Sequence, residues 1–370
     1  MAREKRRFRA DHVGSLVRPE RLRQARRSWE TGRLPADELR ETERECIREA
    51  VAMQERVGLQ SISDGEFPRG TWQEGFHRAV DGFSTARDVP HSFPFRGRPR
   101  EEPQPTAGWP HAEQKLVRRR PMVADQFAFV KGLTAGVAKT TILSPSQLHS
   151  GGGDAVIRPA YSERGSYMQD VAAIYREEIA ELGRLGCTYL QLDDVALPVI
   201  CDPENRERVK ARGEDPDRNI DLYIDTINAA VRDRPAGMLV NVHMCRGNRG
   251  EGMASGGYEP IAERVFNRLD VDGFLLEYDT PRAGDFMPLR FVPKGKTVAL
   301  GLVSTKVREL ESADSLKARI DEAARHLDID QLCLCPQCGF ASSFSTDRFS
   351  IEDQERKLAR IVEVASDVWR

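Results

Sequence analysis

The chain has 370 residues, 39% hydrophobic and 31% charged, which describes a globular protein with ample apolar material for a core. Its 56 Lys and Arg against 58 Asp and Glu leave a formal charge of −2, so no overall basicity argues for nucleic acid. No apolar run approaches the roughly 20 residues that span a bilayer, no apolar core follows the basic start Met1-Ala2-Arg3-Glu4-Lys5-Arg6-Arg7 as in a signal peptide, and seven cysteines do not read as a secreted disulfide framework, so a cytoplasmic enzyme is expected.

In chain order, residues 8–15 form a first extended segment, and 35–57 carry apolar residues at helical spacing. A second strand, 59–63, ends at Asp64-Gly65-Glu66. Residues 84–120 are rich in Pro, Arg and Glu and follow neither period, so they read as an excursion containing an arm or hairpin and lacking a core of its own. Regular alternation then resumes. Strand 137–143 precedes a loop with Gly151-Gly152-Gly153, and helix 166–185 leads to strand 188–192, ending at Asp193-Asp194. Helix 220–231 precedes the short β-branched run 237–242, which continues into His243 and Cys245. Helix 259–269, strand 274–277, strand 297–303, helix 313–327, strand 331–334 and helix 351–368 complete the pattern.

Eight strands, mostly separated by helices, predict an α/β fold of the (β/α)8 TIM-barrel type across residues 1–370, with the irregular excursion after the second strand. No Gly-rich dinucleotide fingerprint follows the first strand, which disfavours a doubly wound sheet. Ser15, Glu66, Asp193, His243, Cys245, Glu277 and Cys338 all fall at predicted strand ends, where barrel enzymes keep their chemistry.

His243 and Cys245, two apart on a strand, point to one face. Alone they read equally as a packed pair, since free Cys is common in cores. With Glu277 and Cys338 they offer a mixed N, S and O donor set that zinc accepts. Cys335-x-x-Cys338 lacks the second pair of a zinc ribbon, and Cys46, Cys187 and Cys201 have no partner at ligand spacing. Glu66 and Asp193 read either as solvated carboxylates or as holders of a substrate amine, while Asp194 should face the other way and be structural. The Gly151-Gly152-Gly153 loop lacks the Lys-Ser or Lys-Thr of a phosphate cradle. Arg118-Arg119-Arg120 reads as a solvated face before an anion site.

These residues resemble a known family. His243-x-Cys245, strand-end Glu277 and Pro336-x-Cys338-Gly339 are similar to the zinc site of cobalamin-independent methionine synthase, in its C-terminal catalytic barrel. Val13-Gly14-Ser15, Asp64-Gly65-Glu66-Phe67, Thr141-Ile142-Leu143 and Gln191-Leu192-Asp193-Asp194 resemble further strand-end motifs, so the likeness runs from residue 8 to the end. It is closest to the short, single-barrel methionine-synthase-like proteins, without the duplicated N-terminal barrel. The resemblance implies Zn2+ held by His243, Cys245, Glu277 and Cys338. It also implies homocysteine bound by Ser15, Glu66 and Asp193, the two carboxylates being the catalytic candidates. Two departures bear on the methyl donor. The family's histidine after the seventh strand falls near Ser304, and its Trp after Thr-Ile-Leu is replaced by Ser144-Pro145-Ser146.

The expected activity is a zinc-dependent thiol S-methyltransferase of methionine biosynthesis, taking homocysteine and a methylfolate or another methyl carrier. A homo-oligomer is compatible with this, and neither nucleic acid nor membrane is expected as a partner. An epoxyalkane:coenzyme M transferase-like activity is the alternative, although its sulfonate-bearing thiol calls for Arg or Lys in place of Glu66 and Asp193. A non-catalytic zinc-stabilised barrel, which chelation would unfold, and a metal-free barrel enzyme acting on tetrapyrroles are the remaining readings.

Overall fold

Parallel strands buried on both faces dictate the architecture. The computed structural model describes residues 8–87, 89, 92–93, 109–248, 252–344 and 349–369. Its strands are β1 (Ser61–Ile62), β2 (Val80–Ser84), β3 (His111–Arg118), β4 (Val137–Leu143), β5 (Tyr189–Asp194), β6 (Leu239–Met244), β7 (Gly273–Glu277), β8 (Thr297–Val303) and β9 (Leu332–Pro336). Seven of them make one curled parallel sheet in the order β1-β4-β5-β6-β7-β8-β9. Every residue of β4, β5, β7 and β9 is buried, as expected where helices cover one face and the barrel interior the other.

The eighth position is filled differently from a regular strand. Segment 8–15 makes one parallel bridge, Ala10 to Leu334, with Asp11 N–H donating to Leu334 O (3.0 Å) and Leu334 N–H to Arg9 O (2.8 Å). Towards β1 it is joined through side chains. Ser61 Oγ donates to Asp11 Oδ1 (2.7 Å), Ser63 Oγ to Gly14 O (2.7 Å), and His12 Nε2 to Ser61 O (3.0 Å). The result is an α/β, TIM-barrel-like fold.

The covering helices follow their sequence signals. Helix Ala36–Arg56 lies within the expected 35–57, and Ile351–Val368 starts at a capping box of Ser350 and Asp353. Helix Pro216–Val231 begins one turn before the expected 220, because Asp215 caps it and Pro216 occupies its first turn. Helices Glu20–Glu30, Ala124–Lys131 and Pro203–Ala211 were not expected from periodicity. Among the described residues, no helix is long and apolar enough to cross a membrane.

The excursion is anchored by a hairpin: β2 pairs antiparallel with β3, from Val80 opposite Arg118 to Ser84 opposite His111. Arg118 pairs with the fully buried Glu178 of helix Arg164–Arg184 at 2.6 Å. That carboxylate also accepts from Met122 N (2.9 Å) and Val123 N (3.0 Å). Arg119 pairs with Asp81, so the basic run is partly consumed in fastening the hairpin. Between Arg87 and Trp109, only Val89 and residues 92–93 are among the described residues.

Candidate active site

Strand register brings the site together. Leu143 of β4 lies beside Asp193 of β5, and Asp193 beside His243 of β6. Glu277 ends β7, Cys245 follows β6 by one residue, and Cys338 follows β9 by two. Ser15, Glu66, Asp193, His243, Cys245, Glu277 and Cys338 are all buried.

Three of them form a compact donor cluster. The ligand atoms of His243, Cys245 and Cys338 all lie within 4.8 Å of one another. The two Sγ atoms are 3.7 Å apart, too far for a disulfide. Two sulfurs about 2.3 Å from one tetrahedral zinc would be separated by about 3.8 Å, so the spacing suits a shared ion. His243 Nδ1 faces Leu275 O at 3.3 Å and therefore donates there, which leaves Nε2 as the acceptor. Nε2 is buried with no hydrogen-bond partner. A metal-binding imidazole is oriented in this manner, its other nitrogen tied to a carbonyl. The donor chemistry and the orphaned nitrogen both fit zinc.

The electrostatics agree. The Cys338 hydrogen bond, aided by His243 and opposed by burial, pushes the Cys245 thiol well below its ordinary range, while Cys338 itself is pushed well above. Burial lowers the His243 imidazole, but the adjacent Cys245 sulfur and Asp193 more than offset this and leave it raised. An apolar wall surrounds the sulfurs. Phe93, Val195, Val199, Met253 and Ala254 cluster with Cys245 and Cys338, and Trp72 packs against them. Phe93 comes from the excursion, whose Ser92 N–H donates to Gly151 O (2.7 Å). The excursion therefore contributes to the site.

The acidic side is built on a sharp turn. Glu66 has φ of 59°, a conformation costing roughly 1–3 kcal/mol that recurs at functional sites. Asp64 Oδ1 accepts from Glu66 N (2.9 Å) and holds the turn. Glu66 Oε1 accepts from Thr141 Oγ1 (2.7 Å) and lies 3.8 Å from the buried Arg69, whereas Oε2 has no partner. Asp193 Oδ1 accepts from Gln191 Nε2 (2.6 Å). Burial first, and then the neighbouring Glu66 carboxylate, push Asp193 up to about 7. Ser15 lies against Gly339, where a Cβ would collide with the Ser15 hydroxyl, so glycine is needed after Cys338. Asp194 turns away and accepts from Leu197 N (2.8 Å) and Ser146 Oγ, a structural role.

Glu277 ends β7 and is fully buried, where cations and a backbone amide hold its carboxylate. Oε1 accepts from Arg282 Nη2 (2.5 Å) and Lys306 Nζ (2.9 Å), and Oε2 from Arg246 N (2.6 Å). Burial works to raise the Glu277 carboxyl, but Lys306, Arg246 and Arg282 outweigh it and hold it at about 2. Sequence reasoning missed Arg69, Arg282 and Lys306. The spacing of Arg69 to Glu66 within one turn was a usable signal for the first, and none existed for the others. Cys333 and Cys335 pack in the barrel interior with Val13, Leu275 and Ala299. The glycine loop is buried, with no room for a Cβ at Gly152 between Val156 and Val89.

The family model described as "Cobalamin-independent synthase, Catalytic domain" matches residues 8–366. The chain belongs to the cobalamin-independent methionine synthase family. The uncharacterized protein YxjH of Bacillus subtilis (strain 168) is 38% identical, over 98% of this chain and 95% of its own. The methionine synthase of Pyrococcus abyssi is 24% identical over 88% and 84% of the two chains. A Listeria monocytogenes structure, described as a candidate vitamin-B12-independent methionine synthase, superposes with a TM-score of 0.76. It is 31% identical and covers 99% of each chain. The B12-independent methionine synthase of Shewanella sp. W3-18-1, solved with selenomethionine, shares the fold at 19% identity, with a TM-score of 0.74 over 98% and 97% of the chains.

Proposed function

We propose that this protein is a zinc-dependent thiol S-methyltransferase that methylates homocysteine to methionine. The observation that carries the reading is the juxtaposition of a buried imidazole–thiol cluster with a buried pair of carboxylates, Asp193 lying beside His243 in register. The name of the Pyrococcus abyssi relative points the same way.

His243, Cys245 and Cys338, with Glu277 at the end of β7, would hold the zinc. When bound, the metal favours the thiolate of a substrate thiol whose pKa is otherwise near 8.5, while its sulfur stays nucleophilic. The chain's own residues do the rest. Glu66 and Asp193 attract the α-ammonium group, and their paired burial disfavours two negative charges until that cation arrives. Ser15 donates to the α-carboxylate. Val195, Val199, Phe93 and Met253 exclude water from the reacting sulfur, which strengthens every charge interaction there. A sulfonate-bearing thiol such as coenzyme M would find carboxylates where it needs cations. The methyl donor is read as a methylfolate or another methyl carrier.

The test is methionine production, followed by mass spectrometry, from homocysteine and a panel of methylfolates and other methyl carriers with the zinc-loaded protein. Methionine should form and should disappear in Cys338→Ser. Metal-loaded protein that makes none with any donor would overturn the proposal.

A further inference from the structure

A buried side chain ties the turn that presents Glu66 to the loop that follows Cys338. Arg18 stands three residues after Ser15, between the rim and helix Glu20–Glu30, and is 4% exposed. Its Nη2 donates to Glu66 O at 2.9 Å and to Arg69 O at 3.0 Å, and its Nη1 donates to Ala341 O at 2.8 Å. The guanidinium lies 4.7 Å from the Phe344 ring centroid. Its Nε is buried with no partner, a cost that a side chain placed for packing alone would not need to carry.

The two ends it joins are not held alike. On the Cys338 side, Phe340 N donates to Ser15 O (3.0 Å) and Asn248 Nδ2 to Gly339 O (3.0 Å), so that loop is fixed by contacts other than Arg18. Glu66, by contrast, has φ of 59° on a turn whose Glu66 and Arg69 carbonyls both end on the guanidinium. Such a backbone persists only where its surroundings over-determine it. Glu66, Arg69 and Ala341 are all buried, so water does not stand in for the arginine. A planar guanidinium fork sets the distance and direction of three acceptors at once, which a flexible ammonium does not.

We propose that Arg18 is a positioning residue that fixes how far the Glu66 carboxylate stands from the sulfur cluster, and thereby sets the length of amino-acid thiol the site accepts. The inference rests on the homocysteine reading above. A thiol held at its α-ammonium group by Glu66 and Asp193 reaches the metal only if its carbon chain spans the gap, and a positioned site rejects misplacement on the scale of one bond. Homocysteine and cysteine differ by one methylene, so discrimination between them measures that gap. Arg18 acts through the turn and touches neither substrate nor metal.

Thiol binding to the cobalt(II)-substituted protein, followed by the change in sulfur-to-cobalt charge-transfer absorption, tests this without a methyl donor. The native protein should bind homocysteine at least about thirtyfold more tightly than cysteine, within the range over which one methylene is discriminated. In Arg18→Met that ratio should fall to about threefold or less. Propanethiol, which has no ammonium group for Glu66, should bind that variant as it binds the native protein. Arg18→Lys keeps the charge but not the fork, and its ratio should lie between the two. An unchanged ratio in Arg18→Met, or all three thiols weakened alike, would overturn the proposal, as would native protein that binds the two amino acids equally. Should Arg18→Met fail to fold, Arg18→Lys decides: its ratio falls at least about threefold below native, or the proposal fails. Native cobalt protein whose spectrum no thiol alters would instead remove the thiol reading of the site, and this inference with it.

Discussion

Asp193 carries its carboxyl up to about 7 through burial and the proximity of Glu66. The unfolded chain releases the same proton near pH 4, so between those values the folded protein holds more protons. Its contribution to stability therefore falls as pH rises across that window. Asp193→Asn is expected to be more stable than the native protein at about pH 8, by a few kcal/mol at most, with the difference gone by about pH 4. Urea unfolding at the two pH values measures it. Function should move the opposite way, with the KM for homocysteine raised at least about tenfold by loss of the ammonium partner. In the native enzyme that KM should also rise as pH falls below about 7, because protonated Asp193 offers no charge. Strand alternation made it legible that His243 and Cys245 share one face, and Cys338, marked by the glycine after it, comes to lie beside them. Lys306 was not, because its ion pair with Glu277 depends on how β7 meets the segment after β8, and no spacing along the chain encodes that.

Elements with long apolar periods were legible, whereas two helices with polar inward faces and the short, apolar-faced Ala124–Lys131 were not. Helix Glu20–Glu30 buries only Leu22 and Arg26. Its inward contact is the Arg26 guanidinium, 4.7 Å from the Phe344 ring centroid and 3.2 Å from Glu43, so hydropathy gives no stripe to read. Helix Pro203–Ala211 is equally polar and is set by its Asp202 cap and by Pro203. The hairpin was foreseen only as an arm or hairpin within 84–120, because half of it lies before that stretch. Glu178 is what fastens it. Glu178→Ala would strand two backbone N–H groups and leave Arg118 with Glu181 alone, an expected loss of about 1–3 kcal/mol for each stranded group. Glu178→Gln, which keeps one acceptor, should lose less. Denaturant midpoints of the two variants give the comparison, and equal midpoints would show that the carboxylate does not anchor the arm.

At the scale of the whole molecule, the count of eight strand positions was legible because parallel strands buried on both faces read as short β-branched runs. The manner of closure was not. Segment 8–15 has one backbone bridge and closes the ring through a buried polar network. Lys139 Nζ lies 3.0 Å from Asp11 Oδ1, Tyr189 donates to the other oxygen, and Asn241 Nδ2 reaches the Tyr189 hydroxyl at 3.0 Å. Burial alone would raise Asp11, yet Lys139, His12, Tyr189 and Ser61 leave it lowered. Lys139→Met should therefore strand a buried carboxylate and destabilise the fold by about 3–5 kcal/mol, read as a lower urea midpoint with an unchanged slope. The same closure carries Ser15 to the rim that holds Asp193 and the sulfurs, so the barrel's seam and its site are coupled.

The proposed chemistry depends most on a metal shared by side chains at the ends of β6 and β9. Elemental analysis of zinc in protein purified without chelator, native and Cys338→Ser, tests this directly. The prediction is about one zinc per chain in the native protein and a small fraction of that in the variant. No zinc in the native protein, or the same content in both, would contradict it.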